Sequence, residues 1–188
     1  NQEGKQKTGS GIFMAVKSKF TEEIWELLLF APFWVMEIIS KADGVTDVEQ
    51  KKIFYQEIKR LSTEKNSALT EEIFSEINKN LERVSSNLSS DKREPTYAML
   101  DLRSALDEIP SELAGEGFCD VLFEMGINIA DASGAMTNSG RRVEQAELRA
   151  LAGLAILLEI DLAKLEKKDP KFVFQIHGYL KRIEKSVL

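Results

Sequence analysis

The chain has 188 residues, 43% of them hydrophobic and 30% charged, with four prolines, one cysteine and one histidine. That length can bury about 70% of the unfolded surface without covalent staples, while a formal net charge of −6 repels a phosphate backbone and excludes nucleic acid as a first choice of partner. Cys119 alone excludes an intrachain disulfide, His177 alone excludes His-rich metal sites, and a reducing, cytoplasmic setting is expected.

The first eleven residues, NQEGKQKTGSG, are polar and Gly-rich, and residues 1–20 read as a flexible tail ahead of one domain over 21–188. Thr21 followed by Glu22 and Glu23 opens the first helix, because a hydroxyl and two carboxylates suit the orphan amides and the positive end of the dipole. Pro32 leaves two readings for the segment to about Ala42: one kinked helix, or two helices with Pro32 in the first turn of the second. Its apolar stretch from Leu27 to Met36 is about half the roughly 20 residues that a spanning helix needs, so no transmembrane segment is expected. Trp25, Phe30, Phe33 and Trp34 read as core, the alternative being a docking surface for a partner helix or for peripheral membrane contact.

After the break at Ala42-Asp-Gly44, Thr46 and Glu49 have the spacing of a capping box, and Phe54, Ile58 and Leu61 share one face of the helix it opens. Thr70 then caps a helix with Ile73, Ile77, Leu81 and Val84 on one side, and SSNLSSDKREP reads as a linker between halves at about 21–90 and 95–188. A helix from Tyr97 to Ile109 carries Met99, Leu102 and Leu106. Pro110-Ser111 starts a long helix to about Ala132, and the loop DASGAMTNSGRR leads to a helix over Val143–Leu158. Asp161 opens a short turn of helix, and Asp169-Pro170 opens the last one. No segment alternates as a strand does, so the expected fold is an all-α compact bundle of about seven to nine helices.

Two pieces of the chain are alike: ISKADG followed by VTDVEQKKIF, and IADASG followed by AMTNSGRRVEQAELR. Val48-Glu49-Gln50 matches Val143-Glu144-Gln145, Gly44 matches Gly134, and the second loop is five residues longer. A helix, an acidic loop and a second helix, occurring twice in an all-α chain, resembles the tellurite-resistance TerB-like family over about Phe33–Leu61 and Leu122–Leu158. The second loop departs from the pattern, with DASG in place of ADG and with Arg141 and Arg142 beside it.

The resemblance implies a compact duplicated helical domain with a stress-response or signalling role. It also implies a metal patch formed by Asp43, Asp47, Glu49, Asp131 and Glu144, suited to a hard divalent cation such as Ca²⁺, Mg²⁺ or Mn²⁺. An EF-hand is excluded: with Gly44 as its invariant glycine, Ile39 and Lys41 fall on ligand positions and Gln50 replaces the bidentate Glu. The purely structural reading of the same acids is helix capping and turn formation. No nucleophile elbow, phosphate loop, dinucleotide fingerprint or Glu-x-x-His pair occurs, so a non-enzymatic module is expected. The alternative to a metal-binding module is a metal-independent scaffold with a protein partner.

Overall fold

The structure, a computed structural model, describes residues 16–42, 44, 48–109, 117–132 and 142–187, with side chains to residue 183. Those residues form a short 3₁₀ turn, Val16–Lys19, and nine α-helices without a strand: α1 Glu22–Ser40, α2 Val48–Leu61, α3 Ala68–Lys79, α4 Leu81–Ser90, α5 Pro95–Asp107, α6 Phe118–Ala130, α7 Gln145–Leu157, α8 Leu162–Glu166 and α9 Pro170–Val187.

Helix α1 is the axis of the bundle because it is apolar around most of its circumference. Its residues from Leu27 to Pro32, with Trp25, Trp34, Val35 and Ile39, are all buried. Helices α2 to α7 all touch it, α5 and α6 most extensively, while α9 lies outside and packs on α7 and α8. Pro32 sits inside one continuous helix, which resolves the two readings of that segment in favour of the single helix. Trp25, Phe30 and Trp34 belong to the core, and Phe33 is half-buried with its ring centroid 5.1 Å from that of Phe54. One contiguous hydrophobic cluster takes residues from both sides of the 91–94 connection, so the two halves share a core.

Several helix ends follow from local chemistry. The Thr21 hydroxyl accepts from the Ile24 amide at 3.3 Å, and Glu94 accepts from the Thr96 and Tyr97 amides with Pro95 in the first helical position. Asp161 accepts from Ala163 and Asp169 from Phe172, each satisfying an amide that has no partner within its helix.

Three expectations need correction. The apolar periodicity that joined Ile77 to Leu81 and Val84 hides a break at Asn80 (φ −128°, ψ 34°), so two helices replace one. Ser67, rather than Thr70, is the N-cap of the first of them. The SSNLSS segment is the end of α4 rather than linker, because Leu88 packs on the core while the serines face solvent. Helix α6 starts at Phe118, after Gly117 with φ +111°, a left-handed conformation outside helical geometry, and the start expected at residue 111 lies outside the described residues.

The 3₁₀ turn lies within the stretch expected to be tail. Glu72 of α3 accepts the amides of Val16 at 2.6 Å and Lys17 at 3.3 Å. A carboxylate across the first turn satisfies the donors of a helix too short to satisfy them itself.

Candidate functional site

The acids singled out in the sequence flank two helix-loop-helix junctions, α1 to α2 and α6 to α7. Asp43 and Asp47 lie outside the described residues. The other three each have an identified partner. Glu49 is exposed in the first turn of α2, with Lys52 Nζ 3.3 Å from its carboxylate. Asp131, at the C-terminal end of α6, accepts from the Arg142 backbone amide and so ties the two ends of the second loop together. Glu144 is the N-cap of α7, where its side chain accepts from the Glu147 amide while the Glu147 carboxylate accepts from the Glu144 amide at 2.8 Å. That reciprocal pair is a capping box. Among the described residues, no three His, Cys, Asp or Glu side chains come together in a group able to hold a metal.

The tripeptide shared by the two pieces lies differently at the two helix starts. Val48, Glu49 and Gln50 are the first three residues of α2, whereas Val143 and Glu144 precede α7 and Gln145 is its first residue. Burial agrees: Val48 is 76% exposed and Val143 1%. The shared tripeptide therefore occupies different positions in the two units. The buried polar residues near the starts of α2 and α7 are Gln50 and Glu147.

Gln50 and Glu147 bond to each other. Gln50 Nε2 donates to Glu147 Oε1 at 2.7 Å, across 97 residues of sequence. The other oxygen of Glu147 takes the Glu144 amide, so one buried carboxylate both closes the start of α7 and holds the start of α2. A buried carboxyl group is tolerated when its oxygens have hydrogen-bond donors. Here a side-chain amide and a helix N-terminus supply them. The sequence signal was present as Glu144-x-x-Glu147, but Gln50 could be paired with it only in three dimensions.

A second polar link joins the same two units. The Glu57 carboxylate, on the buried side of α2, accepts from Arg60 Nε at 3.1 Å and Nη2 at 2.7 Å, and from Asn128 Nδ2 of α6 at 3.1 Å. The hydrogen bond to Glu57, followed by its charge and that of Glu64, raises the affinity of the Arg60 guanidinium for its proton despite partial burial. Both links are structural in geometry: each bridges helices and fills the acceptor capacity of a carboxylate.

Glu76 of α3 is the centre of a third cluster, which sequence reading did not reach. Trp25 Nε1 donates to it at 3.0 Å, Lys17 Nζ at 3.2 Å and Arg83 Nη2 at 2.8 Å. Burial opposes its ionisation, but these three donors outweigh it and hold the carboxyl below the usual glutamate range. Asp91 is likewise held low, chiefly by its hydrogen bond from Arg93, and that guanidinium also lies 5.2 Å from the centroid of the Trp34 ring.

The remaining nucleophile is muted. Burial pushes the Cys119 thiol up, with Arg103 nearby acting in the opposite sense, which keeps it a thiol at neutral pH. A cavity of about 240 Å³ opens beside α6, with Phe123, Ile160 and Leu165 in its wall and the Lys168–Glu124 pair, 3.5 Å apart, at its rim. No described helix is long and apolar enough to cross a membrane.

No family model, no curated protein and no solved structure matches this chain.

Proposed function

We propose that the chain is a non-enzymatic, metal-independent interaction module, a helical scaffold in which the loop acids work as caps and ties. The observation that carries this reading is the engagement of Asp131 with the Arg142 amide and of Glu144 and Glu147 with each other's amides. A carboxylate used in this way contributes about 1 kcal/mol as a cap, and a cation would have to displace those amides as well as win the ligands. The buried carboxylates Glu57 and Glu147 are similarly committed to holding α2 against α6 and α7, which supports a rigid platform over a proton-transfer site. The alternative, a TerB-like stress-response module holding Ca²⁺, Mg²⁺ or Mn²⁺ between its acidic loops, requires Glu49, Asp131 and Glu144 to exchange those partners for metal.

Thermal unfolding of chelator-treated protein, with and without millimolar Ca²⁺, Mg²⁺ or Mn²⁺, separates the two. A cation at a hundred times its dissociation constant stabilises a fold by about 2.7 kcal/mol, or roughly 5–11 °C for a chain of this size. The proposal predicts no shift with any of the three. A shift that Asp131→Asn removes would overturn it.

A further inference from the structure

The acidic balance of the chain is reversed at its C-terminal end. Residues 161–188 hold seven Lys and Arg against four Asp and Glu, while the whole chain holds 25 against 31. Three of those cations, Lys171, Lys181 and Arg182, share one side of α9. In α9, Phe172, Val173 and Ile176 are buried against α7 and α8, and Tyr179, Leu180 and Ile183 pack on the core from the same side. Lys171, Phe174, Gly178, Lys181 and Arg182 are exposed, and at 100° per residue they fall within about 100° of arc opposite the core face. Phe174 is 78% exposed, the largest value among the exposed large hydrophobic residues, and Gly178, one turn further on, leaves its flank bare. Lys164, Lys167 and Lys168 of the α8 region are exposed too, but they alternate with exposed Asp161 and Glu166, and Lys168 is paired with Glu124.

We infer that this face of α9 is a docking surface for an anionic phospholipid bilayer. Charge complementarity gives the sign of the partner: a cationic stripe on an otherwise acidic protein selects a negative surface and orients the molecule with its acidic remainder away from it. The shape gives the class. Phe174 projects from a convex helix, so a protein partner would have to supply a hollow to receive it, whereas the interfacial region of a bilayer accepts an aromatic ring anywhere on its plane. Flanking lysines then reach headgroup phosphates while their stems lie along the apolar boundary. One aromatic ring and a few cations give reversible, salt-sensitive attachment rather than stable anchoring. The inference rests on the binding-module reading above and names the partner for one of its faces.

The test is co-sedimentation of the full chain, in chelator and about 0.1 M salt, with vesicles of pure phosphatidylcholine or of phosphatidylcholine mixed with phosphatidylserine, an anionic lipid of the cytoplasmic leaflet. Binding to the anionic vesicles is expected to exceed that to neutral ones by roughly tenfold and to fall steeply with added salt. The paired variant Lys171→Glu/Lys181→Glu should abolish the difference, and Phe174→Ser should weaken binding severalfold at unchanged salt dependence; both sites are exposed, and circular dichroism checks that each variant folds. Equal binding to the two vesicle types, or anionic binding indifferent to the charge reversal, would overturn the inference, as would capture by immobilised poly-glutamate without any vesicle binding, which would make the partner an acidic polypeptide. Because chelator is present throughout, failure here leaves metal independence untouched. Only the melts with added cations decide that.

Discussion

Replacing Glu147 by Ala removes the carboxylate that joins the starts of α2 and α7. It accepts from Gln50 Nε2 at 2.7 Å and from the Glu144 amide at 2.8 Å, and it is 1% exposed. Truncation leaves the buried Gln50 amide and the Glu144 N–H without a partner, at about 1–3 kcal/mol for each unsatisfied group, so the net loss should be near 3 kcal/mol. For a domain of this size that lowers the thermal midpoint by roughly 6–12 °C. The assay is guanidinium unfolding followed by circular dichroism for the parent, Glu147→Ala, Gln50→Ala and the double variant. Residues in direct contact show coupling energies of about 0.5–3 kcal/mol, and the structure predicts a value of about 1–2 kcal/mol for this pair. Glu147→Ala within about 0.5 kcal/mol of the parent, the range of an ordinary surface substitution, would refute the reasoning, as would additive single effects.

Glycines in α6 and α7 should respond in opposite directions to Ala. A Cβ on Gly126 would lie 3.2 Å from Leu154 Cδ2 and 3.3 Å from Val35 Cγ1, whereas one on Gly153 meets nothing within 4 Å. Gly153→Ala should therefore stabilise by about 0.5–1 kcal/mol through helix propensity, while Gly126→Ala should lower the midpoint because overpacking of about 1–3 kcal/mol exceeds that gain. Because Glu76 is held low in the folded state, its contribution to stability is present above the ordinary glutamate range and is lost as pH falls through the folded value. Unfolding midpoints recorded between pH 6 and pH 3, roughly the window in which carboxylates titrate, should show a smaller acid loss for Glu76→Gln than for the parent, and parallel curves would contradict the role given to its three donors. Cys119, with its thiol pushed up by burial, should react with an aromatic disulfide reagent at least about tenfold more slowly in the native protein than in denaturant. Equal rates would place the thiol at the surface.

The parts of this fold that were legible in the sequence are those set within a few residues. Thr21, Pro95, Asp161 and Asp169 act through amides two or three positions away or through their own backbone angles, and Phe54, Ile58, Ile73, Met99 and Leu102 lie in the core because helical spacing alone puts them on one face. What escaped depended on contacts distant in sequence or on a single backbone conformation. Asn80 interrupts an apolar stripe that keeps its period across the break, and the left-handed Gly117 sets the start of α6 where the apolar pattern alone does not. The tripeptide shared by residues 48–50 and 143–145 is alike in identity but not in burial, since Val48 is exposed and Val143 buried, and that difference is set by packing rather than by the residues themselves.

The candidate acids were legible as a set but not by role. Acid-glycine loops before helices are common to cation sites and to capped turns, and what distinguishes them is whether the oxygens face each other or the chain's own amides. For Asp131 and Glu144 they face amides. Neither the convergence of Lys17, Trp25 and Arg83 on Glu76 nor the sorting of lysines to the outer face of α9 has a local motif. The second could have been anticipated from the reversal of charge after residue 160, read together with the helical period.

The most direct test of whether the loop acids act as structural ties is a two-dimensional amide spectrum titrated with Mn²⁺, whose unpaired electrons broaden most the signals nearest a bound ion. The account predicts that Arg142, Glu144 and Glu147 keep their amide signals while broadening stays weak and even over the acidic surface. Selective loss of those three signals at substoichiometric Mn²⁺, together with those of the first turn of α2, would contradict it and place a metal between the loops.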